Sequence, residues 1–229
     1  MKQGQLVAIC GIDGSGKTVQ SKALCARAEN AGIRTAYFEF PQYSTGFFGE
    51  LIARYLRGEM SSSPEEVDPY LSALPFACDR WEASPSLQDA LAEGRLVICN
   101  RYVGANIAHQ GSKLESEEAR QSFRDWIEKL EYTVFGLPRP DLQIWLDIPP
   151  EIALQLIAGK SDRDYLKDKK DIHEKNRRHL EATYNVYRQL ATSSESWATV
   201  KCTREDGGIM PEEDIADKIW DIVSAMLTH

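Results

Sequence analysis

Short apolar runs alternate with longer stretches of helical period along the chain, and neither a low-complexity linker nor an internal repeat separates them. Leu6 to Cys10, Thr35 to Phe40, Leu96 to Cys99, Leu142 to Leu146 and Ala198 to Cys202 have strand length. Strands that alternate with helices build a parallel sheet covered on its faces by those helices. The first helix is predicted to open in the turn after Cys10 and run to about Asn30, stopped by Ala31-Gly32. Others are predicted over Gly46 to Leu56, Pro69 to Glu93, Glu115 to Phe135, Glu151 to Ile157, Asp171 to Ala191 and Pro211 to Leu227. The expectation is one α/β domain over residues 1–229. Ala158 to Lys170, AGKSDRDYLKDKK, breaks the pattern: it is polar, dense in both charges and set between two helices, as a solvated surface segment is.

Composition narrows the function classes. In 229 residues, 42% are apolar and 27% charged, a balance that supports a large core. The net charge of −8 argues against a broad nucleic-acid surface, so an anionic ligand must be held by local groups. The five cysteines, Cys10, Cys25, Cys78, Cys99 and Cys202, are scattered without zinc-site spacing and read as reduced apolar residues. No stretch approaches the roughly 20 apolar residues of a membrane span, and the N-terminal apolar run is too short for a secretory signal, so no membrane partner and a cytoplasmic location are expected.

The chemistry starts at Gly11 to Thr18. GIDGSGKT fits G-x-x-x-x-G-K-[ST] and lies where a strand ends and a helix opens. Gly11, Gly14 and Gly16 let backbone N–H groups wrap phosphates, with Asp13, Ser15 and Val19 in the same turn. The helix N-terminus adds partial positive charge, Lys17 reaches the outer phosphates, and the Thr18 hydroxyl is suited to Mg²⁺. GTPases, motors and kinases share such a loop, so the acceptor side decides the reaction. FPQY at Phe40 to Tyr43, FACDRWE at Phe76 to Glu82 and NRY at Asn100 to Tyr102 all fall near the C-terminal edge of the sheet, where ligands of open α/β sheets bind. Arg80 and Arg101 offer planar forks for phosphate oxygens, although a lone arginine is as readily surface-exposed or ion-paired. Phe76 lies one helical turn before Arg80, where it either stacks on a base or fills the core.

Taken together these motifs resemble the thymidylate kinases, P-loop nucleoside monophosphate kinases that make dTDP from dTMP. The likeness covers nearly the whole chain: GIDGSGKT, FPQYS with FGELIARYLRGE, FACDRWE, NRYVGANIAHQGSK, EYTVFGLPRPDLQIWLDIPPE and DIHE all resemble family segments. It implies a three-layer P-loop kinase fold, a five-stranded parallel sheet flanked by helices, with residues 158–170 as a short lid. By the same resemblance, ATP and dTMP are the substrates, Mg²⁺ is the cofactor and the protein is a homodimer. Phe76 would stack on thymine, with Arg80 and Asn106 on the base edge. Arg101 and Tyr43 would hold the acceptor phosphate, after the Phe40 that opens the FPQY loop. Asp13 would lie near the sugar 3′-hydroxyl, Tyr102 would line the sugar pocket, and Glu174 would close over sugar and phosphate. With no arginine between Gly11 and Lys17, the lid would supply positive charge from Lys160, Arg163 or Lys167, of which Arg163 has the bidentate fork.

Three positions depart from the family pattern. Asn100 stands where an aspartate usually helps organise Mg²⁺ through water, so metal affinity is expected to fall unless phosphate oxygens and Thr18 suffice. His109 replaces a common aromatic near the sugar 2′ position, and Ala105 replaces a common serine. Three rival functions follow: a nucleoside kinase, which needs a carboxylate base near the third strand that Asn100 cannot be; a kinase for another nucleotide; and a nucleotide-binding regulator without turnover.

Overall fold

A computed structural model describes residues 3–60, 67–160 and 170–228. Five strands form one parallel sheet, β1 (Gln5–Cys10), β2 (Thr35–Glu39), β3 (Leu96–Asn100), β4 (Leu142–Asp147) and β5 (Trp197–Lys201). Their order is β2-β3-β1-β4-β5, so the chain fills one side of β1 before crossing to the other. The three inner strands are buried almost throughout, as parallel strands covered on both faces must be. Each of the five strands predicted above is present, with ends shifted by a residue at most.

The helices are α1 (Lys17–Asn30), α2 (Phe47–Leu56), α3 (Pro69–Ala92), α4 (Val103–Gly111), α5 (Glu117–Glu128), α6 (Pro150–Lys160), α7 (Lys170–Ala191) and α8 (Glu212–Leu227). Asp68 caps α3 by accepting from the N–H groups of Tyr70 and Leu71, ahead of a proline in the first turn, where the missing N–H costs no bond. Ser116 caps α5 through the Ala119 N–H.

Two expectations are corrected here. Helix α4 was not anticipated: all its residues except His109 are buried, which erases the polar face that marks a helix in sequence, and no side chain caps it. The single helix expected over Glu115 to Phe135 is instead α5 followed by a π-helical turn, Lys129–Val134. That wider turn carries Glu131 into the interior, where it is fully buried. The charged segment expected over 158–170 overlaps the end of α6 and the start of α7, and residues 161–169, with Arg163 and Lys167, lie outside the described residues. No helix among the described residues is long and apolar enough to cross a membrane.

Candidate active site

The loop from Gly11 to Gly16 joins β1 to α1. Gly14 and Gly16 have φ of 82° and 83°, a left-handed backbone that a side chain resists. At Gly14 a Cβ would also come within 2.6 Å of the Ala153 carbonyl oxygen of α6. Gly16 precedes α1 without a side-chain cap, and the first turn holds no acid. The leading N–H groups and the positive end of the helix dipole are therefore open to an anion. Lys17 is buried and folded into the loop, donating to the Ile12 carbonyl over 2.7 Å and to the Ser15 hydroxyl over 3.4 Å. Burial, reinforced by repulsion from Arg101, lowers its pKa to about 7. Val19 is exposed one residue beyond Thr18.

At the sheet edge the register pairs Ile9 with Asn100 and Asn100 with Glu39. Asn100 donates through Nδ2 to the Thr18 hydroxyl over 2.9 Å and to Glu39 Oε1 over 2.8 Å, and Thr18 donates to the same Glu39 oxygen over 3.2 Å. Asn100 is buried, and its Oδ1 has no hydrogen-bond partner among the described residues. The surroundings of Asn100 are thus not neutral, because β2 brings a carboxylate against it.

Arg101 follows β3 with φ of 66°, unusual for a residue with a side chain and held by its N–H bond to the Ile9 carbonyl at 3.0 Å. One end of its guanidinium pairs with the Asp13 carboxylate, and the other donates to His109 Nε2 over 2.8 Å. The Arg101 charge holds the Asp13 carboxyl well below its usual range. Burial, then the same charge, keeps His109 neutral. Tyr43 is exposed in the FPQY loop, where partial desolvation raises its phenol against the opposing pull of Arg101.

A separate cluster lies between α3, α4 and the π-helical turn. Glu131 accepts from Arg80 Nε and Nη2 over 2.5 and 2.6 Å and from Asn106 Nδ2 over 3.0 Å. Asn106 also donates to the Ala73 carbonyl over 3.1 Å. All three side chains are buried. Both donors of the Asn106 amide are thereby used, and its Oδ1 is left without a partner among the described residues. Phe76 is half-buried on the same helix as Arg80.

The sequence-predicted site residues thus fall into place unequally. The loop residues, Arg101, Asp13 and His109 come together at one corner, and Arg80 with Asn106 forms the second. The Arg80 fork, offered above to an acceptor phosphate, is taken by Glu131. Phe40 is buried between Phe38 and Tyr102, and Tyr102 is fully buried with its hydroxyl on the Pro138 carbonyl at 3.0 Å. Both rings are buried against the sheet. Glu174 lies in α7 and Lys160 ends α6, with their side chains outside the described residues.

Sequence reasoning missed Glu39 and Glu131. Glu39 ends a strand next to the FPQY motif, a weak signal in retrospect. Glu131 gave none, because an acid in a helical pattern reads as solvated.

The thymidylate kinase family model matches residues 9–209. A thymidylate kinase of Mycobacterium tuberculosis (strain ATCC 25618 / H37Rv) is 32% identical over 186 residues, 81% of this chain and 85% of that protein. Another, from Rhodopseudomonas palustris (strain ATCC BAA-98 / CGA009), is 31% identical across 98% of this chain and 90% of its own length. Among solved structures, thymidylate kinase from Candida albicans superposes with a TM-score of 0.69 at 22% identity, covering 97% of this chain and 92% of that one, a likeness of fold. With the phosphate loop, the sheet order and these matches agreeing over most of its length, the chain belongs to the thymidylate kinase family.

Proposed function

We propose that the protein transfers the γ-phosphoryl group of ATP to a phosphate oxygen of dTMP, releasing ADP and dTDP, with Mg²⁺ as cofactor. The observation that carries the choice of acceptor is the Arg80–Glu131–Asn106 network. Glu131 and the Ala73 carbonyl take the two Asn106 donors, so the amide can offer a base only its oxygen, while Nη1 of Arg80, which lies outside the fork held by Glu131, offers N–H donors. An acceptor beside a donor complements the N3–H and O4 of thymine. Cytosine, with an unprotonated N3 and an amino group at C4, presents the reverse pattern and is rejected at both positions.

Catalysis in this reading is positioning and charge neutralisation. Lys17 and the α1 N-terminus hold the outer phosphates of ATP. Arg101, braced by Asp13 and His109, holds the acceptor phosphate, which is already an anion and needs no general base. Tyr43 adds a hydroxyl to that side, and Phe76 presents a ring face to the base. By family resemblance Arg163 is the further cation, and Glu174 the further carboxylate, assigned to the reacting groups. The oxygen donors at Thr18, Asn100 and Glu39 suit a hard cation, which Thr18 and Asn100 would hold. When bound, Mg²⁺ would neutralise phosphate charge.

One observation favours a second reading. Glu39 sets a carboxylate at the end of the strand beside β3, which a nucleoside kinase would use to deprotonate a sugar hydroxyl. An ADP-release assay with Mg-ATP and dTMP, dUMP, dCMP, GMP or thymidine separates the two. dTMP is expected to lead, with dUMP lower by about 10–200-fold for the lost methyl group. Faster turnover of thymidine would replace the proposal, and equal rates with dCMP would remove the role given to Asn106.

A further inference from the structure

The aspartate expected at the end of β3 is absent, yet a carboxylate stands beside that place. Parallel pairing sets Glu39 of β2 level with Asn100 of β3, so the two side chains leave the sheet on one face. Glu39 Oε1 accepts from the Thr18 hydroxyl and the Asn100 amide, which also donates to Thr18, closing a ring of three hydrogen bonds. The geometry points to Glu39 as the positioning residue that replaces the missing acid at the cation site. This inference rests on the Mg-nucleotide reading above.

Three consequences follow from the ring. Thr18 spends its only hydrogen on Glu39, so its remaining lone pair can turn outward to a cation. An anionic acceptor also makes that hydroxyl oxygen a better donor to a metal, as outer acceptors do for metal-bound side chains. Finally, Glu39 fixes the Asn100 amide with its nitrogen toward Thr18 and Glu39, because only the NH₂ group can face a carboxylate. The buried Asn100 Oδ1 is consequently left without a partner among the described residues, an acceptor for a water of the cation site. Asparagine at 100 and glutamate at 39 are therefore a matched pair: the strand edge keeps one carboxylate but carries it on β2. A nucleoside kinase's base would need Glu39 free to take a proton from the acceptor, whereas here it already accepts from Thr18 and Asn100.

The test reads metal affinity apart from turnover. Mn²⁺ is titrated into the protein–ADP complex and free Mn²⁺ is followed by electron paramagnetic resonance, alongside ADP binding in the presence of a chelator. Glu39→Gln is expected to weaken Mn²⁺ binding roughly 10–100-fold without weakening metal-free ADP binding, since it removes a negative charge near the phosphates. Adding Asn100→Asp to Glu39→Gln is expected to recover Mn²⁺ affinity by returning the carboxylate to β3. Unchanged Mn²⁺ affinity in Glu39→Gln overturns the inference. So does a parallel loss of Mn²⁺ and metal-free ADP binding, the mark of a merely structural role. Failure of the wild-type protein to bind ADP would instead remove the nucleotide reading on which it rests.

Discussion

Arg101 Nη1 and His109 Nε2 lie 2.8 Å apart, and because a guanidinium has no acceptor, the imidazole must receive the bond on an unprotonated Nε2. His109 is therefore neutral, with its proton on Nδ1. Burial and the adjacent Arg101 charge favour the same state. A histidine that braces an arginine in this way does not act as a pH switch. The His109 ring resonances are expected to show no titration between about pH 5 and 8, where an unperturbed imidazole would titrate. His109→Phe should raise KM for dTMP by about tenfold, the scale of one hydrogen bond to a charged group. His109→Gln, which keeps an acceptor, should recover most of it.

Lys17 gives the nucleotide site a pH dependence of definite sign. In the free protein its pKa is lowered to about 7, chiefly by burial and then by Arg101. A phosphate binds the ammonium form, so binding above pH 7 must draw a proton from solution. ADP affinity is expected to be level below about pH 7 with respect to this group and to fall as pH rises beyond it. Calorimetry at about pH 8 in buffers of different ionisation enthalpy should show uptake approaching one proton. Lys17→Ala should abolish both the uptake and most of the turnover.

Glu131 holds Arg80 in an interior ion pair, with side chains 3% and 0% exposed. Breaking such a pair from one side leaves a buried charge uncompensated, at a cost of about 3–5 kcal/mol. Glu131→Gln is thus expected to lower the melting temperature markedly. It should also free Asn106 to present either end of its amide, so the dTMP to dCMP ratio of kcat/KM falls. A thermal melt and paired substrate kinetics check both effects, and an unchanged ratio in a folded variant would remove Glu131 from base selection.

Gly49 marks a close approach that fixes the FPQY loop. A Cβ added there would lie 2.0 Å from the Gln42 carbonyl oxygen, and the Gln42 N–H is itself held by the Asp79 carboxylate at 3.2 Å. Gly49→Ala must displace the loop backbone. KM for dTMP should rise, with up to about 10²-fold lost in kcat/KM if the acceptor shifts by an ångström. KM for ATP, set by the loop after β1, should stay near wild type.

The elements easiest to read were those whose signal is local. The P-loop announces itself because its glycines must sit between one strand and one helix, and the inner strands do so because burial on both faces demands unbroken apolar runs. Helix α4 was hidden by the same burial, which leaves no polar face to set a period. Phe40 and Tyr102 lie within motifs that resemble substrate-contacting segments, yet whether a ring faces the cleft or the core behind it depends on neighbours from other strands.

What the sequence by itself determined was the phosphate loop, the five strands and the family pattern, all of which follow from backbone demands and spacing within a few residues. Which side chains share a corner was decided by the tertiary structure alone. Glu39 meets Asn100 only because β2 pairs with β3 in that register. Glu131 meets Arg80 and Asn106 only because a π-helical turn carries it beneath α3 and α4. In both cases a carboxylate that reads as an ordinary surface charge becomes the partner that sets how its neighbours' donors and acceptors point, because electrostatic partnership is fixed by distance in space, not by spacing along the chain.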